Sequence, residues 1–222
     1  MEIEILGISG SPIKNGNTVA FLQEALKAAE EIGGVTTSLL SLAGKRIDDC
    51  KQCNWCISKQ EEGKYCALDD DMTEIFPTVL AADGILVATP VYLGRMSGHL
   101  AACLDRLRSC LHGKVYREML IDKVGGALAV GWIRNGGLES ALQSILIAFS
   151  AFGMIFPAPG MASTCAWGAT GFSSEYGMGK FDPEERVGVL KDEFGLRSAR
   201  SVGKRVAEVA RIVRAGKKII AG

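Results

Sequence analysis

Three apolar runs of strand length, Ile3 to Ile8, Gly84 to Thr89 and Val124 to Val130, lie far apart in the chain, and each ends in a break containing Gly, Ser or Pro. Runs this short, apolar at successive positions, suit strands covered on both faces, because alternate side chains point to opposite sides of a sheet. Thr36 to Leu42, β-branched and Leu-rich, reads as a further strand. Helical patterns separate them. One starts at Asn17 as N-cap and runs to Ile32 before the Gly33–Gly34 pair, and one is capped by Asp70 or Asp71 and reaches about Ala82. Another spans Ser97 to Leu107 with Leu100, Leu104 and Leu107 on one side, and a fourth covers Leu138 to Phe152. Met154 to Phe156 is expected as a short fifth strand, and Leu196 to Ala215 as a closing helix rich in Arg and Lys. This alternation predicts an α/β fold, a parallel sheet with helices on both faces.

Ligands of open α/β sheets bind beyond the carboxyl ends of the strands. Four loops should therefore converge: Ser9 to Asn17, Ala43 to Asp69, Thr89 to Met96 and Gly131 to Gly137. The first, in GISGSPIKNGNT from Gly7 to Thr18, leads into a helix N-terminus and offers Ser9, Ser11, Lys14, Asn15, Asn17 and Thr18 to a phosphate. It is neither G-x-x-x-x-G-K-[ST] nor G-x-G-x-x-G, and its bland alternative is a Gly/Ser-rich turn capping a helix. In the third loop Pro90 and Gly94 bend the chain while Val91, Tyr92 and Leu93 set apolar surface beside backbone amides, an arrangement suited to a flat heteroaromatic ring. The fourth adds Trp132, Arg134, Asn135, Gly136 and Gly137, whose amides could reach the polar edge of that ring while Arg134 stabilises an anionic reduced form.

The second loop holds Cys50, Cys53, Cys56 and Cys66 in CKQCNWCISKQEEGKYC. Three thiolates at C-x2-C-x2-C spacing can wrap one corner of a cubane, with a fourth closing the set, as a [4Fe–4S] cluster requires. A structural zinc site more often pairs two knuckles a dozen or more residues apart, so zinc or a redox-active pair suits the spacing less well, and ordinary reduced thiols are the third reading. Cys103, Cys110 and Cys165 read as small buried hydrophobes.

A chain of 222 residues that is 48% hydrophobic can bury a full core and at this size commonly stays one domain. Its 25 basic and 25 acidic residues leave no net charge, so nucleic acid and acidic membrane are not expected partners. Ser140 to Ser174 carries no charge, yet Pro157 and Pro159 break it too early for a membrane span. MEIEILGISG is acidic where a signal peptide is basic, and seven cysteines, an odd number, read as reduced thiols, so a cytoplasmic place is expected. His99 and His112 are the only histidines, and no Ser-His-Asp set or H-E-x-x-H motif is present; no catalytic acid–base residue is expected.

GISGSPIKNGNT, DDDMTEIFPTVLAADGILVATPVYLGRMSGHLAACLDR, RNGGLES and GLRSARSVGKRVAEVA together resemble, over most of the chain, the NADPH-dependent FMN reductase branch of the flavodoxin-like proteins. With CKQCNWC and the later Cys66 added, the chain is similar to the iron-sulfur flavoprotein family of anaerobic archaea and bacteria. The resemblance implies a flavodoxin-like three-layer sandwich with strand order 2-1-3-4-5, one domain over 1–222 with a cysteine-rich insertion at about 43–69. It implies FMN phosphate on Ser9, Ser11, Asn17 and Thr18, the isoalloxazine against Pro90 to Gly94, and a [4Fe–4S] cluster on Cys50, Cys53, Cys56 and Cys66, in a homodimer or homotetramer. The expected function is electron transfer between a ferredoxin-like or NAD(P)H donor and a small-molecule or protein acceptor. Alternatives are a cluster-free NAD(P)H-dependent FMN or quinone reductase, and a zinc-stabilised flavin-binding redox sensor. Nine residues separate Cys56 from Cys66, more than the family pattern leaves, and a protruding turn around Glu61, Glu62 and Gly63 is expected to absorb them. WGATGFSSEYGMGKFD, Trp167 to Asp182, is read as either a cover for the flavin or a surface loop.

Overall fold

The computed structural model describes residues 2–222. Strands Ile3–Ser9 (β1), Val35–Ser41 (β2), Gly84–Pro90 (β3), Val124–Gly131 (β4) and Ala169–Phe172 (β5) pair in parallel in the order β2-β1-β3-β4-β5. The helices are Asn17–Glu30 (α1), Trp55–Ser58 (α2), Met72–Ala81 (α3), Gly98–Arg106 (α4), Leu138–Ala151 (α5) and Glu193–Ala221 (α6). Period-two alternation sorts the strand residues into two cores. Ile3, Ile5, Leu86, Ala88, Leu128 and Val130 face α1 and α6, whereas Leu6, Ile8, Ile85, Val87, Ala127 and Ala129 face α3, α4 and α5. Each fully buried Leu, Ile or Phe in these layers contributes on the order of 1.5–3 kcal/mol of apolar burial. The three-layer arrangement and strand order match the sequence expectation.

The fifth strand is not where the apolar pattern puts it. Met154–Phe156 reaches only the start of β4, through the Val124–Ile155 bridge and the Gly125 N–H to Ile155 O hydrogen bond of 2.7 Å. Pro157 and Pro159 follow at once, and residues without an N–H cannot extend a ladder. The chain regains the sheet edge at Ala169, where β5 pairs with Leu128–Gly131. Part of Trp167 to Asp182 is thus sheet. Asn17 does not cap α1 either: Gly16 occupies the N-cap, and Asn17 Oδ1 instead accepts from the Val189 amide at 2.9 Å. The closing helix exceeds its apolar pattern at both ends: it begins three residues earlier, after Asp192, which accepts from Gly195 N–H at 3.0 Å and from Phe172 N–H at 2.9 Å, and it runs on to Ala221.

The aspartate run before α3 is more than a cap. Asp71 takes the Arg46 amide at 2.7 Å. Asp70 is buried and forms a two-pronged pair with Arg106, the last residue of α4, at 2.5 and 3.1 Å. It also accepts from the Asp48 amide at 2.9 Å and the Met72 amide at 3.1 Å, and Arg106 donates to Asp48 O at 2.9 Å. One ion pair therefore joins the inserted loop, the start of α3 and the end of α4. Burial pushes the Asp70 carboxyl up, but the Arg106 guanidinium and the two amides more than offset this and hold it below its ordinary value. A lowered carboxyl stabilises the fold above the unfolded-state pKa, near 4, and the contribution fades as pH falls through the lower folded-state value. Asp70→Asn should therefore cost about 3 kcal/mol at pH 7, in the range for breaking a buried pair. Urea unfolding at several pH values checks this: the gap from the native chain should hold at pH 6 and close as the solution becomes strongly acidic.

Candidate cofactor and metal site

The loop after β1 enters α1 with hydroxyls already turned inward. Ser9, Ser11 and Thr18 are buried, Ser11 N–H lies 3.4 Å from Ser9 Oγ, and Ile13 N–H donates to Ser11 Oγ at 3.1 Å. No side chain caps α1, so its first amides are left for an exogenous anion. Those buried hydroxyls at an uncapped helix start fit a phosphate. Lys14 and Asn15 are exposed, and Lys14 reaches toward Gly44 at the base of the cysteine loop. Asn17 is half-buried, with its carbonyl oxygen turned to Val189.

The ring loops are tied to this one and to each other. Ser97 Oγ donates to Gly10 O at 2.7 Å, Ser97 N–H donates to Thr89 Oγ1 at 3.0 Å, and Val91 N–H donates to Val130 O at 2.9 Å. Tyr92 and Arg95 pair across a tight turn whose central residues, Leu93 and Gly94, both have positive φ, 49° and 78°. That geometry lifts Leu93 fully into solvent, although a left-handed Leu costs roughly 1–2 kcal/mol. Gly137, at φ 100°, sits so close to Gly94 that a Cβ would lie 2.3 Å from the Gly94 Cα. Ser140 Oγ adds a 2.6 Å bond to Gly94 O. Pro90, Val91, Tyr92, Leu93 and Gly94 are thereby brought beside Gly136 and Gly137. Trp132 and Asn135 are exposed next to them. Arg134 is also exposed, but its Nε donates to Tyr176 O at 2.7 Å and its amide to Gly177 O at 2.8 Å. The segment after β5 thus braces the fourth loop.

The cysteine loop leaves β2 beside the phosphate loop, where Leu42 N–H donates to Ser9 O at 3.0 Å and His99 Nε2 lies 3.1 Å from Leu42 O. Gln52 and Asn54 both adopt left-handed backbone, φ 47° and 57°, and curl the chain between the first three cysteines. Cys50, Cys53, Cys56 and Cys66 line one small cavity together with Arg106 and Arg108. The long gap closes as a turn: Glu61 pairs with Lys64, Gly63 has φ 77°, and Lys64 Nζ lies 5.2 Å from the centre of the Trp55 ring. Tyr65 then stacks between Phe76 and Tyr116, with centroids at 5.0 and 4.2 Å, and Cys66 returns to the other three. Burial pushes the Cys56 thiol up, Arg108 pulls it down, and neighbouring Cys66 and Cys50 raise it again. Among the described residues no three His, Cys, Asp or Glu side chains converge as a single bound ion would need. Cys103 and Cys110 are buried, and desolvation pushes their thiols up to about 12 and about 11, so they are inert core residues as expected.

Sequence reasoning missed Gln60. It is buried, donates to Tyr65 O at 2.9 Å and Ser109 O at 3.2 Å, and accepts from the Val115 and Tyr116 amides at 2.9 and 3.0 Å. Gly113 makes room for it, since a Cβ there would lie 2.3 Å from Gln60 Oε1 and 2.2 Å from Ser109 O. A lone polar residue within KQEEG carries no sequence signal of burial.

Comparison with known proteins accords with this geometry. The family model for NADPH-dependent FMN reductase matches residues 3–168. An iron-sulfur flavoprotein of Methanocaldococcus jannaschii is 40% identical over 213 residues, covering 96% of this chain and 100% of that protein. Another from Archaeoglobus fulgidus is 38% identical over 205 residues, 92% of this chain and 96% of that one. Among solved structures, RosB with bound 8-demethyl-8-formylriboflavin-5'-phosphate has a TM-score of 0.71 at 15% identity, covering 96% of this chain and 81% of that one. NAD(P)H:quinone oxidoreductase from Methanothermobacter marburgensis has a TM-score of 0.61 at 13% identity, covering 93% and 100%. Fold, loops and family match together define a flavodoxin-like, FMN-dependent oxidoreductase. Within that class the chain belongs to the iron-sulfur flavoprotein family, a branch of the NADPH-dependent FMN reductases.

Gln60→Ala removes four hydrogen bonds, one buried and three part-buried, from the turn that returns Cys66. We expect a loss of about 2–4 kcal/mol in unfolding free energy. Cleavage by limited proteolysis should appear within residues 57–66 while bound flavin is retained; an unchanged digestion pattern would contradict the pinning role.

Proposed function

We propose that this oxidoreductase carries a [4Fe–4S] cluster on Cys50, Cys53, Cys56 and Cys66 beside its FMN, and passes electrons from a ferredoxin-like or NAD(P)H donor to a small-molecule or protein acceptor. The observation that carries the reading is the position of Cys66, which lines the same cavity as the other three despite the nine-residue gap. A cubane takes each thiolate on a different iron, so the sulfurs need not meet around one point at about 2.3 Å as they would for zinc. The names of the relatives support the same assignment.

When bound, FMN would supply two-electron exchange with a hydride donor and one-electron exchange with the cluster. The chain's residues bind and orient. Ser9, Ser11, Thr18 and the first amides of α1 hold the phosphate, with Lys14, Asn15 and Asn17 at its margin. Pro90 to Gly94 lie along the ring, and Trp132 and Asn135 to Gly137 border it. Arg134, braced by Tyr176, lends positive charge nearby. No side chain has to transfer a proton in this scheme. The proposal places the protein in the cytoplasm, as one domain with an insertion at about 43–69. It also includes a homodimer or homotetramer, supported by the exposed Trp132 and Tyr176 at the ring loops. Among the described residues no helix is long and apolar enough to cross a membrane.

Anaerobic purification followed by iron, sulfide and flavin analysis tests the assignment. About four iron and about four labile sulfide per flavin are expected; flavin without iron would remove the cluster. The NADPH-dependent FMN reductase match supports a second reading, reduction of flavin directly by NADPH without a cluster. Bleaching of bound flavin by NADPH that survives replacement of Cys50, Cys53 and Cys56 by Ser would favour it.

A further inference from the structure

Arg106 is fully buried at the end of α4, its side chain 1% exposed, yet only its two terminal nitrogens are used. Nε is buried and finds no hydrogen-bond partner among the described residues. Arg106 lines the four-cysteine cavity, and its guanidinium lies beside Cys66. Buried N–H groups in native chains are almost always bonded, so one without an acceptor points to a partner supplied at the site. Cys66, beside the guanidinium, offers that acceptor as a thiolate sulfur.

We propose that Arg106, locked in place by Asp70, is a redox-tuning residue: its Nε–H donates to the Cys66 sulfur and its charge stabilises the reduced cluster. This rests on the cluster reading above. Reduction adds one electron to the iron-sulfur unit, supplied by the bound flavin or by the mediator in a titration; no bond breaks and no proton moves. The unit becomes more negative by one charge, and a donor N–H with a fixed cation beside a ligating sulfur favours that state. Cluster potentials respond to net charge, hydrogen bonds to sulfur and solvent exposure. Asp70 sets how much of the guanidinium's charge the cluster feels, since its carboxylate pairs with the two terminal nitrogens and leaves Nε free. Arg108, half-buried, with Nη1 3.9 Å from Cys56 Sγ and Nη2 bonded to Asn54 Oδ1 at 3.1 Å, supplies a second, longer contact to a cysteine of the cavity.

The test is a spectroscopically monitored redox titration of the holoprotein and three variants, with iron, flavin and melting temperature measured on each. Arg106→Gln removes cation and Nε–H, and the equilibrium constant for cluster reduction should fall about ten-fold, about 59 mV for a one-electron couple. Arg106→Lys keeps the charge and loses the Nε–H, so a smaller fall is expected. Asp70→Asn leaves the arginine unneutralised, and the potential should rise while the melting temperature drops. Shifts of opposite sign at Arg106 and Asp70 support the proposal, and a merely structural ion pair would lower both melting temperatures with the potentials unmoved, which overturns it. If the Arg106 variants fail to fold, Asp70→Asn decides alone: a rise supports, no change overturns. A native protein that holds flavin and no iron overturns the cluster reading itself, an outcome distinct from an iron-loaded protein whose potential ignores Arg106.

Discussion

Burying an ion pair is costly unless its charges are well bonded, and the Asp70–Arg106 pair draws its bonds from three separate parts of the chain, with Arg106 Nε alone left without a partner among the described residues. Asp70 collects amides from Asp48 and Met72 as well as the guanidinium, and Arg106 adds the Asp48 carbonyl. Without this pair the residues from Ala43 to Asp69 would be a long irregular loop on the edge of a sheet, closed at a large entropic cost. With it, the loop has a fixed base. α4 then links two regions: its N-terminus is set by Ser97 beside the phosphate and ring loops, and its C-terminal arginine stands in the cysteine cavity.

Four of the seven non-glycine residues with positive φ among the described residues lie in these loops: Gln52 and Asn54 between cysteines, Leu93 at the tip of the ring loop and Asn135 in the loop that faces it. Unfavourable conformations at non-glycine residues persist where surrounding structure over-determines them, and such sites are commonly functional. The α/β frame supplies that constraint through two well-filled cores, one on each face of the sheet.

Much of this was legible in the residues. β3 and β4 are buried along almost their whole length, so their apolar runs announce them, and the C-x2-C-x2-C spacing marks the cavity loop. What was not legible depends on distance in sequence. β5 is four residues, Ala169–Phe172, with a Thr and a Gly and only alternate burial, so the richer Met154–Phe156 outbids it on pattern alone. Asn17 looks like a cap, but its partner Val189 is 172 residues away. Gln60 and Arg106 carry no sequence mark of burial, because charge and polarity do not announce the partners that bury them. Asp70 or Asp71 looks like a cap on local evidence; Asp71 occupies the N-cap, while the side chain that takes the Met72 amide is Asp70.

The account's central claim is that four thiolates, including the distant Cys66, share one cluster. A crystal structure of anaerobically purified protein, with anomalous data collected on both sides of the iron edge, tests it most directly. The account predicts iron density in the cavity bounded by Cys50, Cys53, Cys56 and Cys66, bonded to all four sulfurs, with Arg106 Nε against Cys66. A cavity without iron, or iron held with the Cys66 sulfur turned away, would contradict it.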